Sequence, residues 1–289
     1  MMLMKNFIVV ANRTGGQGKT LLAHLLALSS SPDRVVMCAD TVDDSAGGVS
    51  KLGRMLRGVI EIGAGPTAAE VSKDAQSAYG YWDVIGEHLF GDEGNPVILD
   101  VGANVVDRIF EWGVVTGFED ALGDVVQSSL VVPVVARPKS LSDAADVVRE
   151  AVRYGKEGGI VFSHIILVRN HWQGGFDQVE GGEEYKALKE AIDAVPEDIS
   201  CVVLDLPRCD SDLLRILEER HLSLKDVSGL DFSEIAELFS WKRMKASREQ
   251  KLFNAWLNAC CGLIQDALPV VENSGVGAKG ADLDAVLPQ

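Results

Sequence analysis

Gly15, Gly16, Gly18, Lys19 and Thr20 stand almost consecutively, and they are the residues best suited to phosphate chemistry. Backbone without Cβ lets N–H groups close on phosphate oxygens. Lys19 is long enough to reach β- and γ-phosphates, and the Thr20 hydroxyl suits a Mg²⁺ ion. Arg13, Thr14 and Gln17 complete the loop around such a ligand. The flanks fit: Phe7-Ile8-Val9-Val10 reads as a buried strand, and residues 21–28 as a helix whose positive end faces the loop. The full pattern G-x-x-x-x-G-K-[ST] breaks at one place, where Arg13 replaces the first glycine. The competing reading is a glycine-rich turn that merely caps a helix; the strand–loop–helix context favours a nucleotide site.

Carboxylates follow in matching places. Pro96-Val97-Ile98-Leu99-Asp100 is an apolar strand closed by aspartate, the arrangement that holds Mg²⁺ beside a phosphate loop. Val35-Val36-Met37-Cys38-Ala39 is a second such run, closed by Asp40 at the strand end where α/β proteins bind ligands. Asp43 and Asp44 compete with Asp40 for that role, and a helix N-cap is the alternative reading. Strands are also expected at residues 59–62, 130–135, 165–168 and 202–206, the last continuing into Pro207 and Arg208 as a loop over the ligand. Ser140 suits the N-cap of a helix over residues 141–154. Residues 67–90 read as mostly helical, with Tyr79, Tyr81 and Trp82 as packing residues. Strands alternating with helices predict an α/β, doubly wound, mainly parallel sheet with helices on both faces and a helical C-terminal end.

At residues 14–20 the chain resembles the ParA/MinD family of P-loop ATPases, whose deviant Walker A loop reads Lys-Gly-Gly-x-Gly-Lys-[Ser/Thr]. Thr14-Gly15-Gly16-Gln17-Gly18-Lys19-Thr20 matches it at all but the leading lysine, which in that family crosses a dimer interface. Arg13 is the nearest replacement cation. The resemblance implies an ATPase using ATP and Mg²⁺, with Lys19 and Asp40 catalytic and with Thr20, Asp40 and Asp100 around the metal. It also implies that Asn170, at a strand end, reads the adenine edge (an ordinary turn is the alternative), and that Gly102 belongs to a nucleotide-sensing switch. The order of motifs over residues 7–207 looks most like plasmid stability ATPases of the StbB type. That implies partition, stability or transfer of a plasmid, a nucleotide-dependent homodimer, and a plasmid-encoded DNA-binding partner or DNA itself. A metabolic P-loop enzyme, and a module that binds nucleotide with little turnover, are the rival readings.

Composition limits the choices. A chain of 289 residues with 47% hydrophobic content can bury a large core, read here as one ATPase domain over residues 1–271. Net charge is −16, which repels nucleic acid and anionic membrane over most of the surface. No apolar run approaches the roughly 20 residues of a membrane helix, and five cysteines without metal-ligand spacing suggest reduced thiols in a cytoplasm. Residues 272–289 are small, polar and glycine-rich, and are expected to be a disordered tail. Within residues 241–268, Lys242, Arg243, Lys245, Arg248 and Lys251 precede an apolar stripe of Leu252, Phe253, Trp256, Leu257, Cys260, Leu263 and Ile264. This predicts either a docked terminal helix or a contact site for nucleic acid or a partner helix.

Overall fold

The computed structural model describes residues 4–41, 48–74, 76–91 and 95–268. Asp43, Asp44 and residues 272–289 lie outside the described residues, as does the boundary expected at residue 271. Strand β1 (Lys5–Val10) is central because its alternate residues bury in opposite directions. Phe7 and Val9 enter one core, and Ile8 and Val10 enter the other. The strands β2 (Val35–Ala39), β3 (Ile60–Glu61), β4 (Val97–Val101), β5 (Val126–Val134), β6 (Phe162–Asn170) and β7 (Ser200–Leu206) complete the sheet. Their order is β3-β2-β4-β1-β5-β6-β7 and every pairing is parallel. A two-sided apolar sheet needs cover on both faces, so this is the doubly wound α/β architecture of P-loop nucleotide-binding folds.

On one face, α5 (Asp83–Phe90), α6 (Val106–Val115), α7 (Phe118–Leu122), α8 (Pro138–Lys156) and α9 (Glu183–Asp193) seal the core around Trp82, Phe110 and Trp112. The short α3 (Ala68–Lys73) and α4 (Ser77–Gly80) precede them. The other face is covered by α1 (Lys19–Ser29), α2 (Lys51–Met55), α10 (Asp212–Arg220), α11 (Leu224–Ser228), α12 (Phe232–Leu238) and α13 (Arg243–Ala267). Helix α13 packs against α1, β7, α10 and α12, burying Phe253, Trp256, Leu257, Cys260 and Ile264 while Leu252 stays partly exposed. The terminal helix is thus docked, on a narrower stripe than its sequence suggests. Each fully buried large apolar side chain of that stripe contributes about 1.5–3 kcal/mol.

Two expectations change. Helix α8 begins at Pro138, with Arg137 as N-cap, because proline fits the first helical turn. Ser140 lies inside the helix, where its hydroxyl accepts the Val135 N–H at 3.0 Å and bonds Gln17. Strand β7 is an edge strand rather than a core one, with Ser200 exposed and most of its residues half-buried. Trp82 packs as expected, whereas Tyr81 remains partly exposed.

His24 is buried in α1, and its Nε2 has no hydrogen-bond partner among the described residues. Burial, and then the charge of Arg34, lower its pKa to about 4. The unfolded chain therefore takes up this proton first. The stability involved is complete above the unfolded value of roughly 6.5 and is lost as pH falls towards 4, by about 3 kcal/mol in all. Urea unfolding of His24→Leu is expected to show a flatter decline between pH 7 and 4.5 than the parent. Parallel declines would show that His24 does not carry the acid sensitivity.

Candidate functional site

The loop between β1 and α1 occupies the crevice where strand order reverses, β1 lying between β4 and β5. Its first turn is built by Asn12, which is fully buried. Asn12 Nδ2 donates to the Pro133 carbonyl at 2.7 Å, and Oδ1 accepts the Thr14 N–H at 3.0 Å. Arg13 donates to Asp107 on α6, its Nε lying 3.1 Å from Oδ1 and its Nη2 bonded to the same oxygen. The Thr14 hydroxyl donates to Asp143 on α8. Both residues that depart from the expected loop pattern are thus tied to carboxylates of their own chain.

Gly16 and Gly18 adopt φ of 74° and 92°, the left-handed region where a side chain would strain the backbone. A Cβ on Gly18 would lie 2.6 Å from Asn170 Nδ2, whereas Gly15 and Gly16 face open space. Gln17 is 2% exposed. Its Nε2 donates to Gly15 O at 2.9 Å, and its Oε1 accepts the Val135 N–H at 3.2 Å and the Ser140 hydroxyl. Its side chain braces the loop, leaving only its backbone for a ligand.

Lys19 is nearly buried, with Nζ donating to Thr14 O at 3.0 Å. Burial lowers its pKa, against the pull of Asp100 and Asp40. Thr20 Oγ1 donates to Asp100 Oδ2 at 2.9 Å. Asp100 is 2% exposed, and burial pushes its carboxyl up to about 6 despite the Thr20 bond and the Lys19 charge. Asp40 follows β2, with Oδ1 accepting the Thr41 N–H at 2.7 Å. A Cβ on Gly102 would sit 2.3 Å from Asp40 Oδ1 and 3.0 Å from Asp40 Cα. Glycine is needed there to let the ends of β2 and β4 approach.

Thr20, Asp100 and Asp40 supply hydroxyl and carboxylate oxygens beside a buried cation. This is the hard-donor set that suits Mg²⁺, which keeps waters and phosphate oxygens in its shell and takes few protein ligands. Among the described residues there is no cluster of three His, Cys, Asp or Glu able to hold a metal by themselves.

A cleft of about 200 Å³ opens beside the loop, lined by Gly16, Gly18, Asn170, Pro207, Trp172 and Trp256 among others. Asn170 Nδ2 donates to Gln17 O at 3.1 Å and Oδ1 accepts the Trp172 N–H at 3.1 Å, so the amide links β6 to the loop. The Pro207 carbonyl accepts Trp256 Nε1 at 2.8 Å. Two groups at this edge escape sequence reading. Lys51 borders the cleft, and Arg169 clamps Asp205 across the β6–β7 register at 2.9 and 2.5 Å, with His171 Nε2 2.6 Å from the same carboxylate. Burial works against the Asp205 charge, but Arg169 and His171 hold its pKa below the usual carboxylate range.

Sheet order and loop together define a P-loop α/β protein. Its fold is similar to that of solved ParA/MinD-type structures. A Cyanothece McdA variant in complex with ATP is 16% identical, with 91% of this chain and 98% of that one covered, at a TM-score of 0.44. The Aquifex aeolicus MinC:MinD cell division complex gives 14% identity, 88% and 96% coverage, and a TM-score of 0.39. A pNOB8 ParA bound to nonspecific DNA gives 10% identity, 89% and 99% coverage, and a TM-score of 0.41. At these values the likeness stops at the course of the chain. No family model and no curated protein matches the sequence.

Proposed function

We propose that this chain is an ATP-binding and ATP-hydrolysing switch of the ParA/MinD type. The observation that carries the reading is a loop with open glycines, its lysine bonded among the described residues to Thr14 O alone, beside the Thr20–Asp100 pair. A triphosphate in the loop would draw Lys19 from Thr14 O. Backbone amides of residues 15–20 and the α1 dipole would take the phosphate charge. Mg²⁺ at Thr20, Asp100 and Asp40 would neutralise phosphate charge, and Asp40 would orient water. Asn170 and Pro207 would flank the base. Phosphoryl transfer of this kind asks for positioning and charge neutralisation rather than covalent catalysis.

In this reading the protein acts in the cytoplasm on plasmid partition, stability or transfer, as StbB-like ATPases do, with a homodimer as the ATP state. The test sizes the protein with ADP and with a non-hydrolysable ATP analogue, alongside phosphate release with ATP. Dimers with the analogue and phosphate release with no other product are expected. A phosphorylated or ligated small molecule would favour the metabolic enzyme, and tight ATP left intact the binding module. Because Arg13 is engaged by Asp107, a role across the dimer requires that pair to open. Arg13→Ala is expected to abolish ATP-dependent dimers, and dimers that persist unchanged would remove Arg13 from the interface.

The partner surface we propose is the start of α13. Lys245 is neutralised by Asp212 at 3.0 Å and Arg248 by the buried Glu249 at 3.0 Å. Lys242, Arg243 and Lys251 are exposed and make no ion pair among the described residues. These three cations suit phosphate contact with DNA better than insertion into lipid, and no described helix is long and apolar enough to cross a membrane. Charge reversal of Lys242 and Arg243 is expected to abolish duplex binding, and salt to weaken it steeply in the parent. A parent that ignores DNA at low salt leaves a protein partner for this surface.

A further inference from the structure

An ion pair that phosphate-loop chemistry does not use borders the cleft. Lys51 Nζ, on α2, lies 3.4 Å from Glu218 Oε2, on α10, and both residues line the cleft together with Gly16 and Gly18. The backbone under Lys51 is firmly set. Ser50 caps α2 by accepting the Gly53 N–H at 3.0 Å, while its own hydroxyl and N–H donate to Glu61 Oε1 at 3.0 and 3.2 Å. Gly53 permits this packing, since a Cβ there would lie 1.9 Å from that carboxylate oxygen. The Lys51 side chain, by contrast, is 49% exposed and that of Glu218 41%. A pair so exposed holds itself together weakly. Lys51 is also close enough to Asp100 for its charge to favour the ionised carboxylate.

A flexible cation on a rigid base, lining the same cleft as an anion-binding loop and restrained by a weak partner, is arranged to change partners. We propose that Lys51 is a second cation for the nucleotide's phosphate chain, held by Glu218 in the nucleotide-free protein and taken from it when nucleotide binds. The inference rests on the nucleotide reading above. The exchange has a structural consequence. Glu218 belongs to α10, whose Asp212 bonds Lys245 of α13 and which packs along that helix. Losing the Lys51 tie removes the ion pair between α2 and α10, so phosphate occupancy is felt at a helix that packs along the one bearing the exposed cations.

The two partners predict effects of opposite sign, which a merely structural pair would not give. Calorimetric ATP titrations compare the parent with Lys51→Gln, Glu218→Gln and the double variant. Lys51→Gln is expected to weaken ATP by about 10-fold and Glu218→Gln to tighten it by about 3-fold, as expected for losing a charge-assisted bond and losing a competitor. In the Lys51→Gln background, Glu218→Gln is expected to change nothing. Weaker or unchanged binding in Glu218→Gln overturns the proposal even if Lys51→Gln fails to fold. A parent that binds no ATP overturns the nucleotide reading and this inference with it. A parent that binds ATP without the opposite signs overturns this inference alone.

Discussion

Lys19→Ala is expected to weaken ATP binding by at least about 100-fold, the loss of two or so charge-assisted bonds to phosphate oxygens. The size follows from the surroundings. Lys19 is buried and, among the described residues, its Nζ donates one hydrogen bond, to the neutral Thr14 O, so an incoming triphosphate meets a cation that Asp100 and Asp40 attract but do not hydrogen-bond. Burial already lowers its pKa, which means the charge is stabilised most when phosphate is present. The variant should fold, because it loses a single hydrogen bond to a carbonyl beside an open crevice, and the attraction of Asp100 and Asp40 only partly offsets the cost of burying the lysine charge. Calorimetry with ATP and Mg²⁺, together with a thermal melt, checks both statements. Undiminished ATP affinity in a folded variant would remove the nucleotide site from this loop.

The placement of the loop and of Asp40 and Asp100 is legible in the sequence because the signals for it are local. Gly15, Gly16, Gly18, Lys19 and Thr20 are contiguous, and Asp40 and Asp100 each close an apolar run, so strand periodicity alone places them at one sheet edge. What sequence does not reveal is which strands become neighbours. Arg169 and Asp205 face each other only because β6 and β7 pair in one register, and nothing local to either residue signals the other. The same holds for Arg13 and Asp107, which are 94 positions apart. The loop pattern presents Arg13 as a free cation for a partner subunit, and the structure shows it engaged within its own chain. Gly102 teaches a different lesson. Its sequence context suggests flexibility, yet the space around it is filled by Asp40, so steric need explains the glycine without any appeal to motion.

That contact gives the second large effect. Asp40→Ala and Asp100→Ala are each expected to lower phosphate release by about 100-fold or more while ATP affinity changes by less than about 10-fold, since each removes an oxygen from around the metal and not a phosphate donor. Thr20 loses its hydrogen-bond acceptor in Asp100→Ala, so this variant should also need more Mg²⁺ for half-maximal release. Asp40→Ala leaves that pair intact, and its loss should appear in the maximal rate. Gly102→Ala separates position from chemistry, because it keeps both carboxylates. Its Cβ would fall 2.3 Å from Asp40 Oδ1 and 3.0 Å from the backbone at Asp40 Cα, so rotation of the side chain alone does not relieve it. The end of β2 must shift, and Gly102→Ala should reproduce the rate loss of Asp40→Ala with ATP binding kept. Steady-state phosphate release measured across a Mg²⁺ series distinguishes these cases. If Asp40→Ala and Gly102→Ala both hydrolyse ATP at the parent rate, Asp40 has no part in the reaction and its place beside Asp100 is structural.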